Sequence, residues 1–423
     1  MNLFKLLRNA SYNRPFLLHP RILAFDSRFA THKDVINEIL SVLDIESAAK
    51  NHKIVKQGIE QLNLAMRSLE INDKQKLIPV FVKYGKWFSG LRQVEGSLEC
   101  YNSVLEIFKG QPDAFEEERI VVTLSQISEL LKLKNFKQCE KLLDDLKETC
   151  DKIPENIIKG KYLETTGKVK ILVGKKDEAL NFFERAKTLF LQLETDSETQ
   201  FHLIISTNYL SMLYSVKGDE NFYENFYLAT KYFLEFQEND NERLVQCLEV
   251  WTRNINFVEH EEKFFEFFDA VENKLESNSA DLKLFFYENV IESSENLQKN
   301  LGFIGSVFER LLIFVEREFS GDLKLKDRVS YMCALKMMAD GNLEKTIEYA
   351  KKCLEIRKLF RDIEMTIVVK NLLVRAYIEN KEILAAKLMI KELDSVFKRL
   401  QNPQIEEQHR ENIMILTKVM KRY

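Results

Sequence analysis

Histidine and cysteine are the side chains of this 423-residue chain best suited to bind metals or act as nucleophiles, and the chain has six of each. The histidines form no H-E-x-x-H motif and no pair at helical spacing with a second histidine or a cysteine. The cysteines include no C-x-x-C pair, which favours free thiols in a reducing compartment over a disulfide framework. We therefore predict neither a metal site nor another cofactor.

A glycine pair followed by lysine, Gly167…Gly174-Lys175, superficially resembles a phosphate-binding loop. That loop needs four residues between its glycines and a Ser or Thr after the lysine, whereas here six residues intervene and Lys176 follows. Cys139 and Cys353 fall where a packed helical hairpin needs a small residue, so we expect them to be buried rather than reactive. With no catalytic set in the sequence, we predict that the protein is not an enzyme.

The elements that position these side chains are predicted to be helices throughout. The chain has only 13 Gly and 6 Pro, and residues 155–402 contain no proline. β-Sandwiches and α/β enzymes need turn residues about every ten positions, whereas helix interiors exclude proline. The predicted fold class is therefore all-α. No stretch approaches the ~20 apolar residues of a membrane-spanning helix, so no transmembrane segment is expected.

The charge balance bears on the kind of partner. Lys+Arg total 62 and Asp+Glu total 66, a net charge of −4. Nucleic-acid phosphates require a basic surface, so direct nucleic-acid binding is not expected.

The first 33 residues differ in composition from the rest of the chain. They contain a single acidic residue, Asp26, and their basic residues are Lys5, Arg8, Arg14, Arg21, Arg28 and Lys33. An arginine-rich, acid-poor, amphipathic start is typical of a mitochondrial transit peptide, and the run 28–31 has the form of a processing site. We predict a mitochondrial address for the protein, in the matrix or at the inner membrane. The alternative is a retained basic arm on a cytoplasmic protein.

An internal repeat is clearest over Lys161–Leu191, a predicted pair of helices with small residues at the close contacts. Its characteristic positions are Gly167, Gly174, Ala179, Phe183 and Ala186. The spacing resembles the tetratricopeptide repeat (TPR), although Lys170 stands where that family usually has an aromatic residue. The resemblance implies two antiparallel helices, with Gly167 at the close contact of the first, Gly174 at the turn and Ala179 as the small residue of the second.

Further copies follow the same spacing. One covers 331–356, with Gly341 at the turn, Thr346 in the small position and then Ala350, and another covers 371–393, with Tyr377 and the small Ala386. With weaker copies included, the small position of the second helix falls at Gly58, Ser97, Cys139, Ala179, Tyr223, Phe264, Gly305, Thr346 and Ala386. The period predicted by these positions is about 41 residues against about 34 for the standard repeat, roughly one extra turn in each helix. In this respect the chain resembles the long-helix arrays of kinesin light chains and SNAP-type adaptors.

The predicted architecture follows from the repeat. Residues 34–402 are expected to form an α-solenoid of about nine antiparallel helical hairpins, which the resemblance implies to be a right-handed superhelix. Residues 403–423 begin with Pro403 and carry apolar residues at helical spacing, so we expect a final helix that caps the open end of the array.

Four phenylalanines in one predicted helix, Phe264, Phe265, Phe267 and Phe268, are unusual for such an array. Phe264, Phe265 and Phe268 share a helical face and are expected in the hairpin core. Phe267 points elsewhere, so either it is also core or it is an exposed anchor for a partner.

Chaperone-binding TPR domains grip a terminal carboxylate with Lys and Asn at set positions of their first helices. The corresponding residues here are Glu164 and Lys168 in one repeat and Asn208 and Met212 in the next. Neither repeat presents the clamp residues in their places, so no chaperone-type carboxylate clamp is expected.

The predicted function is a non-enzymatic scaffold that binds protein partners through the solenoid surface, as an accessory subunit or assembly factor of a large mitochondrial complex. Which residues contact the partner is not predicted. Two alternatives remain open, a cytosolic or cytoskeletal TPR adaptor and a protein associated with the mitochondrial ribosome or with RNA handling.

Overall fold

A computed structural model describes most of the chain. The described residues are 39–40, 43–44, 47, 52–66, 69, 71–109, 115–238, 240–255, 257–258, 260–295, 304–360, 362–397 and 403–420. All regular secondary structure in these ranges is helical, which confirms the predicted all-α class. The basic segment 1–33 lies outside them.

The helices fall into two compact units, the first ending at Lys152 and the second beginning at Ile153. Those of the first unit are α1 His52–Met66, α2 Ile71–Gln75, α3 Ile78–Gly90, α4 Val94–Lys109, α5 Glu116–Lys132 and α6 Phe136–Lys152. Those of the second are α7 Ile157–Leu172, α8 Lys176–Gln192, α9 Ser197–Val216, α10 Asn221–Glu235, α11 Asn241–Ile255, α12 Glu261–Leu275, α13 Ala280–Glu295, α14 Ile304–Glu318, α15 Leu323–Ala339, α16 Leu343–Arg357, α17 Ile363–Glu379, α18 Ile383–Phe397 and α19 Pro403–Met420.

Consecutive helices pack as hairpins. Paired in this way are α3 with α4, α7 with α8, α9 with α10, α15 with α16 and α17 with α18. In each unit the second helix of a hairpin also contacts the first helix of the next, as α4 does with α5, α8 with α9 and α16 with α17. The final helix, α19, packs against α17 and α18. None of the described helices is both long and apolar enough to span a bilayer.

A common turn joins the two helices of several hairpins. Gly174, Gly218 and Gly341 all have positive φ, of 82°, 68° and 75°. At the first of these turns the amide of Lys175 donates to the carbonyl of Lys170, which caps α7 in the manner of a Schellman motif. Glycine suits this left-handed position because it has no Cβ to clash. Arg92, Lys134 and Lys381 adopt the same region with φ of 58°, 58° and 64°.

The second helix of each hairpin buries residues at a regular spacing. In α8 these are Ala179, Phe183, Ala186 and Phe190, all at most 1% exposed. We call the first of four such places the lead position of a second helix. The lead positions are Ser97, Cys139, Ala179, Phe222, Phe264, Ile304, Thr346 and Ala386.

Two of these leads differ by one residue from the sequence markers. Phe222, not Tyr223, holds the buried lead position of α10, and its carbonyl accepts a hydrogen bond from Ser211 Oγ at 3.1 Å. In α14 the lead is Ile304, although the adjacent Gly305 is buried as well. In both helices the two adjacent residues are aromatic or apolar, so the sequence pattern alone does not show which of the two holds the lead position.

The pair α11 and α12 is more open than the other hairpins. Helix α11 packs mainly against α9 and α13, whereas α12 packs mainly against α10. Aromatic rings fill the space between these helices, with centroid distances of 5.2 Å for Phe226–Trp251, 5.7 Å for Trp251–Phe286 and 5.1 Å for Phe268–Phe286.

Candidate functional site

Buried and half-buried polar side chains join four pairs of neighbouring helices, α7 with α9, α9 with α11, α13 with α15 and α17 with α19. We call this set of side chains in the second unit the polar seam. Its members are Glu164, Lys168, His202, Ser206, Asn208, Asn254, Glu288, Arg328, Asn371, His409 and Asn412. The hydrogen bonds that cross between helices join residues 38 to 46 positions apart in sequence.

The most concentrated part of the seam surrounds the carboxylate of Glu164 on α7. Its Oε1 accepts from Lys168 Nζ at 2.6 Å, one helical turn away. Its Oε2 lies 3.0 Å from His202 Nδ1 and 3.3 Å from Ser206 Oγ, both on α9. The Glu164 side chain is only 3% exposed, against 14% for His202 and 30% for Lys168. The cluster therefore ties α7 to α9 and reaches solvent at Lys168.

The charges in this cluster stabilise one another. Burial by itself would raise the pKa of the Glu164 carboxyl, but the charges and hydrogen bonds of Lys168 and His202 outweigh it and lower the pKa to about 2. Burial likewise works to lower the pKa of Lys168, and the Glu164 carboxylate outweighs it and raises that pKa. The pair is therefore ionised over the whole physiological range.

A serine, a histidine and a glutamate so close together invite comparison with a nucleophilic triad. A triad needs the hydroxyl to donate to the imidazole, so that the imidazole can take its proton. Here Ser206 Oγ donates to the Glu164 carboxylate instead. The His202 ring is stacked on Phe190 at 5.5 Å and edge-on to Phe201 at 5.0 Å. The geometry fits a fixed interhelical link rather than an activated nucleophile.

The next part of the seam joins α9 to α11 through two fully buried asparagines. Asn254 Nδ2 donates to the backbone oxygen of Asn208 at 3.2 Å and to its Oδ1 at 3.0 Å. Asn208 Nδ2 in turn donates to the Ile204 carbonyl at 3.0 Å. Asn208 and Lys168, which occupy the positions compared above with a carboxylate clamp, are thus both engaged by internal partners.

At the end of the seam, α19 is held by α17 and α18. Asn412 Nδ2 donates to the Asn371 carbonyl at 3.0 Å, and the His409 ring lies between Asn371 Oδ1 at 3.3 Å and Asp394 Oδ1 at 2.9 Å. The seam was not predicted from the sequence. One signal was available, because Asn371 and Asn412 stand 41 residues apart and both interrupt an apolar helix face.

The cysteine thiols are buried. Burial raises the pKa of Cys139 to about 11 and the pKa values of Cys333 and Cys353 to about 12, so these thiols stay protonated at neutral pH. Cys353 lies 3.0 Å from Asp327 Oδ1 and 3.1 Å from Arg357 Nε in a buried cluster. Over the residues that the structure describes, no group of three or more His, Cys, Asp or Glu side chains could hold a metal ion.

The repeat positions singled out from the sequence lie at helix contacts and turns. Gly167 on α7 faces Phe183, and Gly174 and Gly341 form the turns described above. The remaining positions are at most 6% exposed: Ala179, Phe183, Ala186, Thr346, Ala350, Tyr377 and Ala386. These residues serve packing, and none of them offers a surface to a partner.

Phe267 is not an exposed anchor. Its side chain is 4% exposed, and its ring lies 4.7 Å from that of Phe226 because α12 packs against α10. Phe264 and Phe268 are buried as expected, whereas Phe265 is only partly buried. The guanidinium of Arg310 lies over the Phe265 ring, 5.2 Å from its centroid.

Comparison with known proteins identifies similar solved structures only. No protein-family model matches the chain, and no curated protein matches it. Similar structures include a STAND-class signal transduction ATPase with a TPR sensor from Pyrococcus horikoshii, at 13% identity and a TM-score of 0.38 over 82% of this chain. This chain covers 49% of that protein, about half of its length.

Two further similar structures are covered almost in full. Aspartyl phosphate phosphatase F from Bacillus subtilis is 16% identical, with a TM-score of 0.34 over 84% of this chain and 93% of that one. NprR, solved with its cognate peptide NprX, is 14% identical, with a TM-score of 0.32 over 82% and 98%. Likenesses this distant do not indicate an activity or a partner for this chain.

Proposed function

We propose that the protein is a non-enzymatic scaffold that binds other proteins through the surface of its hairpins. The observation that carries the proposal is the polar seam. It uses Glu164, His202, Asn208 and Asn254 to fix one hairpin against the next, and so holds the exposed surfaces of several hairpins in a defined arrangement. Such a surface suits recognition of a partner segment along its length.

The repeat type and the cellular location of the protein are proposed from separate observations. We propose long-helix TPR repeats with a period near 41 residues, similar to those of kinesin light chains and SNAP-type adaptors. The 40- and 41-residue separations of the Glu288–Arg328 and Asn371–Asn412 contacts support this period. We also propose a place in a large mitochondrial complex, as an accessory subunit or assembly factor. Its support is the basic, acid-poor composition of residues 1–33.

Two experiments test these proposals separately. Affinity purification of the tagged full chain after cross-linking in cells should recover a reproducible set of partner proteins, and the return of the bait alone would contradict the scaffold. A fluorescent reporter fused to residues 1–33 should enter mitochondria. A matched reporter in which Arg8, Arg14, Arg21 and Arg28 are replaced by Gln should stay in the cytosol. A wild-type fusion that also stays in the cytosol would contradict the mitochondrial location without contradicting the scaffold function.

A further inference from the structure

Helix α18 has an outer face unlike that of the other second helices. Leu384 is 72% exposed and Leu388 is 58% exposed, and because they are four residues apart they lie on consecutive turns of the same helix face. They lie two residues before and two residues after the lead position, Ala386. The same two places carry Asp177 and Asn181 in α8, Glu262 and Glu266 in α12, and Glu344 and Glu348 in α16. Each of those three helices has a polar pair at these places, whereas α18 has two exposed leucines.

Two places beside this leucine pair contact the next hairpin in earlier second helices. Five residues after the lead position, Asp269 on α12 pairs with Arg310 on α14 at 2.6 Å, and Glu309 on α14 pairs with Lys345 on α16. One residue after the lead position, the guanidinium of the same Arg310 lies over the Phe265 ring. In α18 these two places hold Lys391 and Lys387, both exposed.

The charge on the outgoing face, the side of a second helix that contacts the next hairpin, differs between α18 and the helices α12 and α14. In α12 and α14 a carboxylate on this face meets a basic residue of the following second helix, as Glu316 meets Lys352, whereas on α16 Lys351 lies over the Tyr377 ring. In α18 the outgoing face offers Lys387 and Lys391, and neither makes an ion pair with any described residue. Two copies that met through this face of α18 would set the lysines of one against the lysines of the other, so the charge favours an acidic partner over a second copy.

Helix α19 supplies one side of the same place. It packs on α17 and α18 as the first helix of a further hairpin would, and Asn412 stands 41 residues after Asn371. The same offset places Met414 where α17 has the fully buried Leu373, yet Met414 is 50% exposed. The position of a following second helix, between α18 and α19, is therefore lined by apolar side chains and flanked by lysines.

We propose that the outer face of α18, formed by Leu384, Lys387, Leu388 and Lys391, binds an acidic amphipathic helix of a partner protein. The helix would lie beside α19 in the place of a further second helix, with leucine-sized side chains on Leu384 and Leu388 and carboxylates on the two lysines. This site deepens the scaffold function proposed above and rests on it. It assigns one docking surface and the chemistry of its partner.

The test uses the full-length protein and two labelled helical peptides of about 18 residues, or five turns. Both carry the same leucine stripe, one flanked by Glu and the other by Lys, and binding is measured by fluorescence anisotropy. The wild-type chain should bind the Glu peptide more tightly than the Lys peptide. Leu384→Gln with Leu388→Gln should weaken Glu-peptide binding by at least about tenfold, because truncated central apolar contacts dominate such interfaces.

Charge reversal is the more discriminating variant, since both lysines are exposed and their replacement leaves the core untouched. Lys387→Glu with Lys391→Glu should reverse the preference, so that the Lys peptide binds more tightly than the Glu peptide. The matched control is Glu344→Gln with Glu348→Gln on α16, which should change neither affinity by more than about twofold. Unchanged peptide preference in the charge-reversed chain would overturn the proposal, even if the leucine variant fails to fold.

Two other occupants give distinct results. Binding to phosphatidylcholine vesicles containing about one third phosphatidylserine, lost in the leucine variant and unaccompanied by Glu-peptide binding, would assign the face to a lipid surface and overturn the proposal. A wild-type dimer in sedimentation that the leucine variant converts to monomer would assign it to a second copy and also overturn it. If the protein binds neither peptide and the leucine variant still recovers its cellular partners, the proposed docking site is overturned and the scaffold function is not.

Discussion

Hairpin α7/α8 and the pair α11/α12 occupy equivalent places in different repeats but are packed with side chains of opposite size. In α7/α8, glycines on the first helix receive rings from the second. A Cβ on Gly160 would lie 2.3 Å from the Phe190 ring, and one on Gly167 would lie 2.7 Å from the Phe183 ring. The missing side chains let the two helices approach closely.

In α11/α12 the close-packing residues are themselves aromatic. Trp251 on α11 and Phe268 on α12 both contact Phe286 on α13, and Trp251 Nε1 donates to Thr230 Oγ1 on α10 at 2.9 Å. Large rings hold α11 and α12 apart and bind each to a neighbouring hairpin. Small residues therefore make a hairpin self-contained, whereas large ones make it depend on the hairpins before and after it.

Removing one ring from the aromatic region should have the largest effect on stability. Phe268 is fully buried, and Phe268→Ala leaves a cavity among the rings of Phe264, Phe286 and Tyr287. We expect the free energy of unfolding of the second unit to fall by about 4 kcal/mol. The chain has two tryptophans, so urea unfolding of a Trp87→Phe background followed by the fluorescence of buried Trp251 reports on this unit.

The matched control for this experiment is Tyr227→Ala on α10, an aromatic side chain that is 54% exposed. It should cost less than about 1 kcal/mol. A Phe268→Ala loss as small as that of the control would show that the ring contacts do not join these hairpins energetically.

The α7/α8 hairpin has a buried ionic cluster at its contact with α9, and this should give it a pH dependence of its own. Glu164 has an ordinary pKa of 4.5 and a folded-state pKa of about 2. A lowered folded-state pKa means that its contribution is complete above about pH 5 and is lost as the pH falls toward 2. Glu164→Gln should therefore cost about 3 kcal/mol at pH 7 and progressively less below pH 5.

Urea unfolding of the wild-type and Glu164→Gln chains, each in the Trp87→Phe background, measures this difference at a series of pH values. Glu178→Gln is the control, because Glu178 also pairs with a lysine, Lys170 at 3.2 Å, but is 54% exposed. A surface pair of this kind should contribute less than about 1 kcal/mol at any pH. Parallel stability profiles for wild type and Glu164→Gln between pH 2 and pH 5 would contradict the assignment.

A methyl group in the glycine-lined contact tests the steric half of the comparison. Gly167→Ala adds a Cβ against the Phe183 ring, and although alanine favours the helix, we expect a net loss of about 2 kcal/mol. Phe183→Leu should relieve the clash, so the double variant should be more stable than the sum of the two single effects implies. Strict additivity in urea unfolding would show that Gly167 is not required for the approach of α7 and α8.

How far the sequence predicts these features depends on how local they are. The all-helical fold follows from the scarcity of Gly and Pro, and small residues such as Gly167 and Ala179 signal hairpins because their effect lies within one repeat. The polar seam could not be found in this way. His202 finds its partner Glu164 38 residues earlier in sequence, and nothing around either residue specifies the other.

Aromatic regions defeat the periodic pattern for a related reason. Phe222 and Tyr223 are adjacent and similar, and only the packing of α9 against α10 decides that Phe222 is buried. Phe267 was ambiguous in the same sense, because α12 buries a second face against α10. Where side chains on two faces of a helix are apolar, the neighbours of that helix determine its register, and those neighbours lie in other repeats.

The turn of the α7/α8 hairpin provides the smallest expected effect and separates backbone strain from crowding. Gly174 has a φ of 82°, and a Cβ added there would have no neighbouring atom within 4 Å, so Gly174→Ala adds strain without a clash. We expect a loss of about 1 kcal/mol in the free energy of unfolding, half that of Gly167→Ala.

Gly321→Ala is the control, since Gly321 is equally uncrowded but lacks the positive φ, and it should change stability by less than about 0.5 kcal/mol. Equal effects at Gly174 and Gly321 would show that the turn tolerates a side chain as readily as Arg92, Lys134 and Lys381 suggest for their own hairpins. The glycine requirement of α7/α8 would then reside in its helix contact alone.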